Sequence, residues 1–168
     1  MTQTVLKNEV TELSPDKGIR TETRRAVADS LGNALADAFR LYFNVQTLHW
    51  NVEGPMFYSL HKLTEEQYAE LNESVDTIAE RIRALGLPAL QTMSEFSDRT
   101  EIDDLPTSGD LKGRIARLVK DYETAGLRLQ KIIKLAEEAG DIKTADLLTE
   151  QLGRYDENAW MLRATIAQ

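Results

Sequence analysis

His49-Trp50-Asn51-Val52-Glu53-Gly54-Pro55-Met56-Phe57-Tyr58-Ser59-Leu60-His61 carries both histidines of the chain and, between them, the turn pair Gly54 and Pro55. Apolar residues recur at helical spacing on both sides of it. Upstream, Leu31, Leu35, Ala38, Tyr42 and Val45 form a seam with Phe39 and Phe43 as a second apolar edge. Downstream, Phe57, Leu60, Leu63, Tyr68, Leu71, Val75, Ile78 and Ile82 continue the period. A link this short between two long periodic segments predicts two helices, about Glu22 to Trp50 and residues 57 to 85, packed as antiparallel neighbours. His49 stands near the end of the first, where it is placed to close a site formed on the second.

On the second helix His61, Glu65, Asp76 and Glu80 share a face: at 100° per residue, the steps from 61 leave net rotations of roughly 40°, 60° and 100°. They cannot meet on one metal. At ~1.5 Å of rise per residue, His61 and Asp76 lie roughly 22 Å apart along the axis, and Glu65 and Asp76 roughly 16 Å. The pairs 61 with 80 and 65 with 76 are nevertheless symmetric about a midpoint between Glu70 and Leu71. A second copy of the helix packed antiparallel about that point brings His61 and Glu65 of one chain to Asp76 and Glu80 of the other, twice over, as an isologous two-fold contact does.

Imidazole with carboxylate and no thiolate suits ferrous iron, manganese or zinc, and the oxygen donors favour ferric iron once it forms. The chain has no cysteine, so no thiol competes for metal or is lost to peroxide. Other metal motifs are missing. There is no Glu-x-x-His for an intrachain di-iron site, no His-Glu-x-x-His, no thiolate zinc set and no glycine-rich phosphate loop.

At 168 residues the chain is long enough for one domain with a substantial core, and a net charge of −8 argues against a basic, nucleic-acid-coating surface. Met1 to Leu13 is polar, and no apolar run approaches a membrane span, which predicts a soluble, cytoplasmic protein. Prolines at 15, 55, 88 and 106 divide the rest. Gly86 and Pro88 stop the second helix, and a short helix is expected around Thr92 to Ser97 in the long connection that follows. A third helix starts after Thr107, Ser108 or Asp110 as cap and runs to Gly140. The fourth starts from Asp141 as N-cap and runs through Ile166. Four such helices, with one long connection between the second and third, make an all-α bundle with a crossover over residues 21–168, preceded by a flexible tail over residues 1–20.

The run His49 to Pro55, with Phe57, Leu60 and His61, resembles the Dps family of miniature ferritins. Asp76-Thr77-Ile78-Ala79-Glu80-Arg81 extends the likeness, as do Thr144-Ala145-Asp146-Leu147-Leu148 and the stretch from Asp156 to Trp160. The resemblance implies a ferritin-like four-helix subunit with a short extra helix between helices 2 and 3, assembled as a hollow twelve-subunit cage. It implies ferroxidase sites between two-fold-related subunits, with His49, His61 and Glu65 from one and Asp76 and Glu80 from the other. Ferrous iron is then the substrate, hydrogen peroxide the preferred oxidant over dioxygen, and ferric mineral the stored product, so that DNA is protected from radical chemistry. Position 65 is usually aspartate in the family and is Glu65 here, one methylene longer. Asp121, with Glu137, Glu138 and Asp141, are the candidates for an acidic iron-entry pore. Trp50, beside His49, is read as packed at the dimer contact.

Direct DNA binding, the family's second activity and a nucleoid-associated alternative, gains little here. Residues 1 to 20 hold Lys7, Lys17 and Arg20 against Glu9, Glu12 and Asp16, which cancel, and no basic extension precedes Gln168. The remaining alternative is a structural helical oligomer whose acids are only a solvated face.

Overall fold

The computed structural model describes residues 18–167. Among them are five helices and no strand: α1 (Thr21–Asn51), α2 (Phe57–Ala84), α3 (Met93–Arg99), α4 (Leu111–Glu138) and α5 (Ile142–Thr165). Most of the expected tail, residues 1–17, lies outside the described residues. None of the helices is long and apolar enough to cross a membrane.

The helix ends follow local chemistry. Gly54 turns the first link at φ +90°, and Gly86 ends α2 at φ +93°, backbone that residues with a Cβ rarely adopt. The side chain of Thr92 accepts from Glu95 N–H while the Glu95 carboxylate takes the Thr92 N–H, a capping box that opens α3. Asp110 caps α4 by accepting from Gly113 N–H, and Asp141 caps α5 by accepting from Thr144 N–H.

Short links make α1 with α2, and α4 with α5, antiparallel hairpins. The crossover sets how the hairpins combine. Arg24 at the start of α1 donates to the carbonyl of Leu85 just past α2, whereas Asn44, near the far end of α1, donates to the Asp103 carbonyl and accepts from Leu105 N–H. The chain therefore runs the length of the bundle before α4 begins, and the four long helices run up, down, down, up. Arg81 near the end of α2 meets Asp141 at the start of α5, 2.5 Å apart, which fixes the lower end. Buried residues on α2 fall at Leu60, Thr64, Gln67, Leu71, Ser74, Ile78 and Ile82, and on α5 at Thr144, Leu148, Gln151, Tyr155, Asn158, Ala159 and Leu162. From Leu60 to Ile78, and along α5 with Ala159 beside the seam, steps of four and three alternate, the spacing of shallow-angle helix packing.

Midway along α1 the buried Asp37 holds the crossover. Its Oδ1 accepts from the Thr100 hydroxyl and from Glu101 N–H, each at 2.8 Å, and its Oδ2 lies 2.9 Å from Arg128 Nε of α4. Arg128 also donates to the carbonyl of Arg99 and pairs with Glu101.

Asp141 gives the fold an acid-sensitive joint. Burial pushes its carboxyl upward, but hydrogen bonds from Arg81 and from the hydroxyl and N–H of Thr144, with the Arg81 charge, outweigh it and hold the group below its ordinary value. A carboxylate depressed in the folded state stabilises the fold above its unfolded pKa, and that contribution disappears as pH falls through the folded value. Asp141→Asn is therefore expected to unfold at lower temperature than the parent at neutral pH. The gap should narrow as pH falls below about 4, the ordinary carboxylate value, towards the lower value at which the folded carboxylate protonates. Thermal melts from neutral to strongly acidic pH test this, and a gap independent of pH would contradict it.

Candidate metal centre

The last turn of α1 and the opening of α2 are drawn together by the buried Val52 and Leu60, with Gly54 accepting from Phe57 N–H to tighten the turn. This juxtaposes the two histidines. Their rings stack with centroids 3.8 Å apart and planes inclined by 17°. Each ring also bonds to the other's backbone: His49 Nδ1 lies 2.9 Å from the His61 carbonyl oxygen, and His61 Nδ1 lies 3.1 Å from that of His49. A carbonyl oxygen only accepts, so Nδ1 carries the proton in both rings. Each ring keeps Nε2 as its lone-pair nitrogen, and a backbone carbonyl behind the imidazole is the usual partner of a metal-ligating histidine. The His49 carbonyl is one of those that the end of α1 leaves without a helical partner, so the same bond completes the helix terminus.

Three neighbours brace the pair. Phe57 stacks on His61 at 5.1 Å, Tyr68 meets His49 edge-on at 5.0 Å, and Thr64 places Oγ1 3.5 Å from His49 Nδ1 while donating to the Leu60 carbonyl. His49 is buried and His61 half-buried.

Glu65 follows His61 by one turn of α2. Its carboxylate is engaged by Lys62 at 2.6 Å, and that hydrogen bond, followed by the lysine's charge, lowers its pKa. Asp76 and Glu80, three turns and more down the helix, are exposed and make no hydrogen bond or ion pair among the described residues. No three histidine or carboxylate side chains of the described residues gather where one ion would touch them all. One chain thus places His49, His61 and Glu65 at one end of α2 and Asp76 with Glu80 towards the other.

Two of the acids considered for an entry pore are occupied otherwise. Asp121 is buried, pairs with Arg117 at 2.7 Å and accepts from Asn44; Asp141 is buried as the α5 cap and Arg81 partner. Neither is open to solvent. Glu137 and Glu138 remain exposed. Trp50 is 60% exposed in the single chain. The sequence reading missed the bracing roles of Thr64, Phe57 and Tyr68; the only available signal was their helical spacing beside His61.

A family model described as a ferritin-like domain matches residues 28–168. The DNA protection during starvation protein 2 of Bacillus anthracis is 34% identical over 144 residues, spanning 86% of this chain and 99% of that protein. The chain belongs to the Dps family of ferritin-like proteins. A low-temperature-induced protein of Nostoc sp. is 37% identical over 154 residues, covering 89% of this chain and 84% of its own length. Among solved structures, the Dps protein of Vibrio cholerae, described as one of a broad superfamily of ferritin-like diiron-carboxylate proteins, superposes with a TM-score of 0.86 at 28% identity, covering 92% of this chain and 97% of that one. Dps from Thermosynechococcus elongatus superposes at 0.82 with 30% identity, over 88% and 94% of the two chains. The five-helix architecture, with its short helix in the crossover, is the Dps subunit fold.

The reciprocal histidine bonds give a direct prediction for this Dps chain. Long-range nitrogen–proton spectra of metal-free protein at neutral to slightly alkaline pH should show both imidazoles as the Nδ1–H tautomer. A dominant Nε2–H form in either ring would contradict the geometry.

Proposed function

We propose that the chain is the subunit of an iron-storing cage that binds ferrous iron at sites shared across a two-fold axis, oxidises it with hydrogen peroxide and retains the ferric product inside. DNA is protected because ferrous iron and peroxide are removed together. The observation that carries this reading is the division of one donor set into two incomplete halves on the same helix. His49 and His61 have Nδ1 tied to backbone and Nε2 left for a metal, with Glu65 beside them. Asp76 and Glu80 are carboxylates with no partner among the described residues. A two-fold axis through the Glu70–Leu71 midpoint of α2 joins the halves into sites of two imidazoles and three carboxylates.

That donor set suits ferrous iron as substrate, since imidazole holds the ferrous ion and the anionic oxygens stabilise the ferric one. Peroxide takes one electron from each of two ferrous ions and, with two protons, leaves as two waters, so no hydroxyl radical is released. A net charge of −8 per chain favours attraction of cations over contact with duplex DNA. The relatives named for DNA protection fit this route as well as they fit DNA binding, and a twelve-subunit assembly supplies the two-fold contacts that the sites need. A gel shift at low and high salt separates the two routes.

His49→Ala and Asp76→Ala are each expected to slow peroxide-driven ferrous oxidation by about 100-fold while leaving the cage assembled, because loss of an outer-shell partner alone costs about 10- to 100-fold. Stopped-flow absorbance on protein of verified size measures this, and parent-like rates in either variant would remove the assignment. Mixed dimers of the two variants provide a second check. One of their two sites combines both mutations and the other has neither, so fast oxidation should return in part. No recovery in verified mixed dimers would rule out sites shared between chains.

A further inference from the structure

Lys62 stands among the proposed donors without being one of them. At 100° per residue it falls at the same angle on α2 as Glu80. The axis through the Glu70–Leu71 midpoint maps position 62 onto position 79 of the other chain, one residue of rise, ~1.5 Å, from that chain's Glu80. Within its own chain the Lys62 ammonium lies 2.6 Å from Glu65 Oε2, an i, i+3 pair on the helix surface. We propose that Lys62 is the resident counter-ion of the shared site: it holds the carboxylates together in metal-free protein and competes with the ion that binds at Glu65.

The proposal rests on the shared ferroxidase site argued above. Each such site gathers Glu65 of one chain with Asp76 and Glu80 of the other, three carboxylates beside two neutral imidazoles. Like charges brought together oppose the contact that gathers them, and a cation among them relieves the repulsion before iron arrives. Other cations near this face are committed elsewhere. On α2, Arg81 pairs with Asp141 and Arg83 donates to the Leu87 carbonyl, while on the second half of α1 Arg40 pairs with Asp104.

An ammonium on a flexible stem is also able to leave when a divalent ion takes the carboxylate. Its effect therefore has opposite signs in the two states. In metal-free protein Lys62 stabilises the dimer; on loading it has to be displaced and remains as a like charge beside the metal. The Lys62 and Glu65 side chains are 53% and 43% exposed, so the effect is that of a surface pair, about two- to five-fold in an equilibrium constant.

Zinc, which takes imidazole and carboxylate donors and has no redox chemistry, is the probe. Calorimetric titration of assembled, metal-free parent, Lys62→Gln, Lys62→Arg and Asp76→Ala, with thermal melts of each sample before and after loading, reads both signs. Lys62→Gln should melt below the parent when metal-free, yet bind the weaker of its zinc ions about two- to five-fold tighter at low salt. Both differences should fade at about 0.5 M salt, where the screening length is about 4 Å, and Lys62→Arg should follow the parent. Zinc binding in Lys62→Gln equal to the parent's or weaker, in a protein whose zinc binding is lost in Asp76→Ala, overturns the proposal and leaves the shared site standing. A metal-free Lys62→Gln that melts at or above the parent overturns the counter-ion role as well. Equal zinc binding in parent and Asp76→Ala overturns both readings.

Discussion

The buried carboxylate of Asp37 is the constraint around which the bundle is organised. A charge taken out of water must be met by partners, and the three that meet it come from the crossover and from α4: the Thr100 hydroxyl, the Glu101 N–H and the Arg128 guanidinium. Burial still raises its pKa, ahead of the lowering by Glu101 N–H, Arg128 and Thr100. An ion pair whose desolvation outweighs its contacts is a poor source of stability and a good source of position. Here it pins a long connection along α1, with Asn44 fixing its far end through Asp103 and Leu105. Because the connection runs the full length of α1, α4 starts beside the histidine end, and α2 is left to pack antiparallel to α5.

That arrangement decides which face of α2 is free. Taking Leu60 as zero at 100° per residue, the buried seam through residues 64, 67, 71, 74 and 78 stays within roughly 40° of it, while positions 61, 65, 76 and 80 fall at roughly 100°, 140°, 160° and 200°. The ligand positions of the proposed site therefore look, on average, roughly 150° away from the core seam. Residues of α5 cannot reach that face. Among the described residues nothing else gathers there as a metal site, so the proposed site takes its other half from a second molecule.

The helices and most of their ends were legible because they depend on neighbours in sequence. Apolar spacing fixes the helical segments, Asp110 and Asp141 mark the caps, and Gly54 and Gly86 mark the turns. The short crossover helix was expected from Thr92 to Ser97 and forms from Met93 to Arg99, with Thr92 outside as its cap. The fate of individual acids was not legible. Asp121 and Asp141 were candidates for a pore, Asp141 being also the expected cap of α5, yet both are buried, because what covers them is Arg117 with Asn44 in one case and Arg81 in the other. Arg117 stands one turn before Asp121 on α4, a pairing that helical spacing allows, but nothing in the segment around Asp141 shows that Arg81, 60 residues away in sequence, will arrive. The donor set of the proposed site could be named from spacing and likeness, but the reciprocal Nδ1 bonds of the histidines could not, since they run to backbone carbonyls across the turn.

Glu65 shows how one methylene changes the balance of the proposed site. The longer side chain lies against Lys62, whose ammonium occupies the carboxylate that a metal would need. In the proposed site an incoming ferrous ion would displace that ammonium, whereas Asp76 and Glu80 are carboxylates with no cation to displace among the described residues. The two halves are thus unequal before any metal arrives. On the proposed assignment, an ion at Asp76 and Glu80 displaces no cation of the described residues, whereas one at Glu65 competes with Lys62 and with salt in the medium. An asymmetric site of the proposed kind would fill in two steps, the Glu65 side last, because the ammonium of Lys62 has to leave before a metal can use that carboxylate.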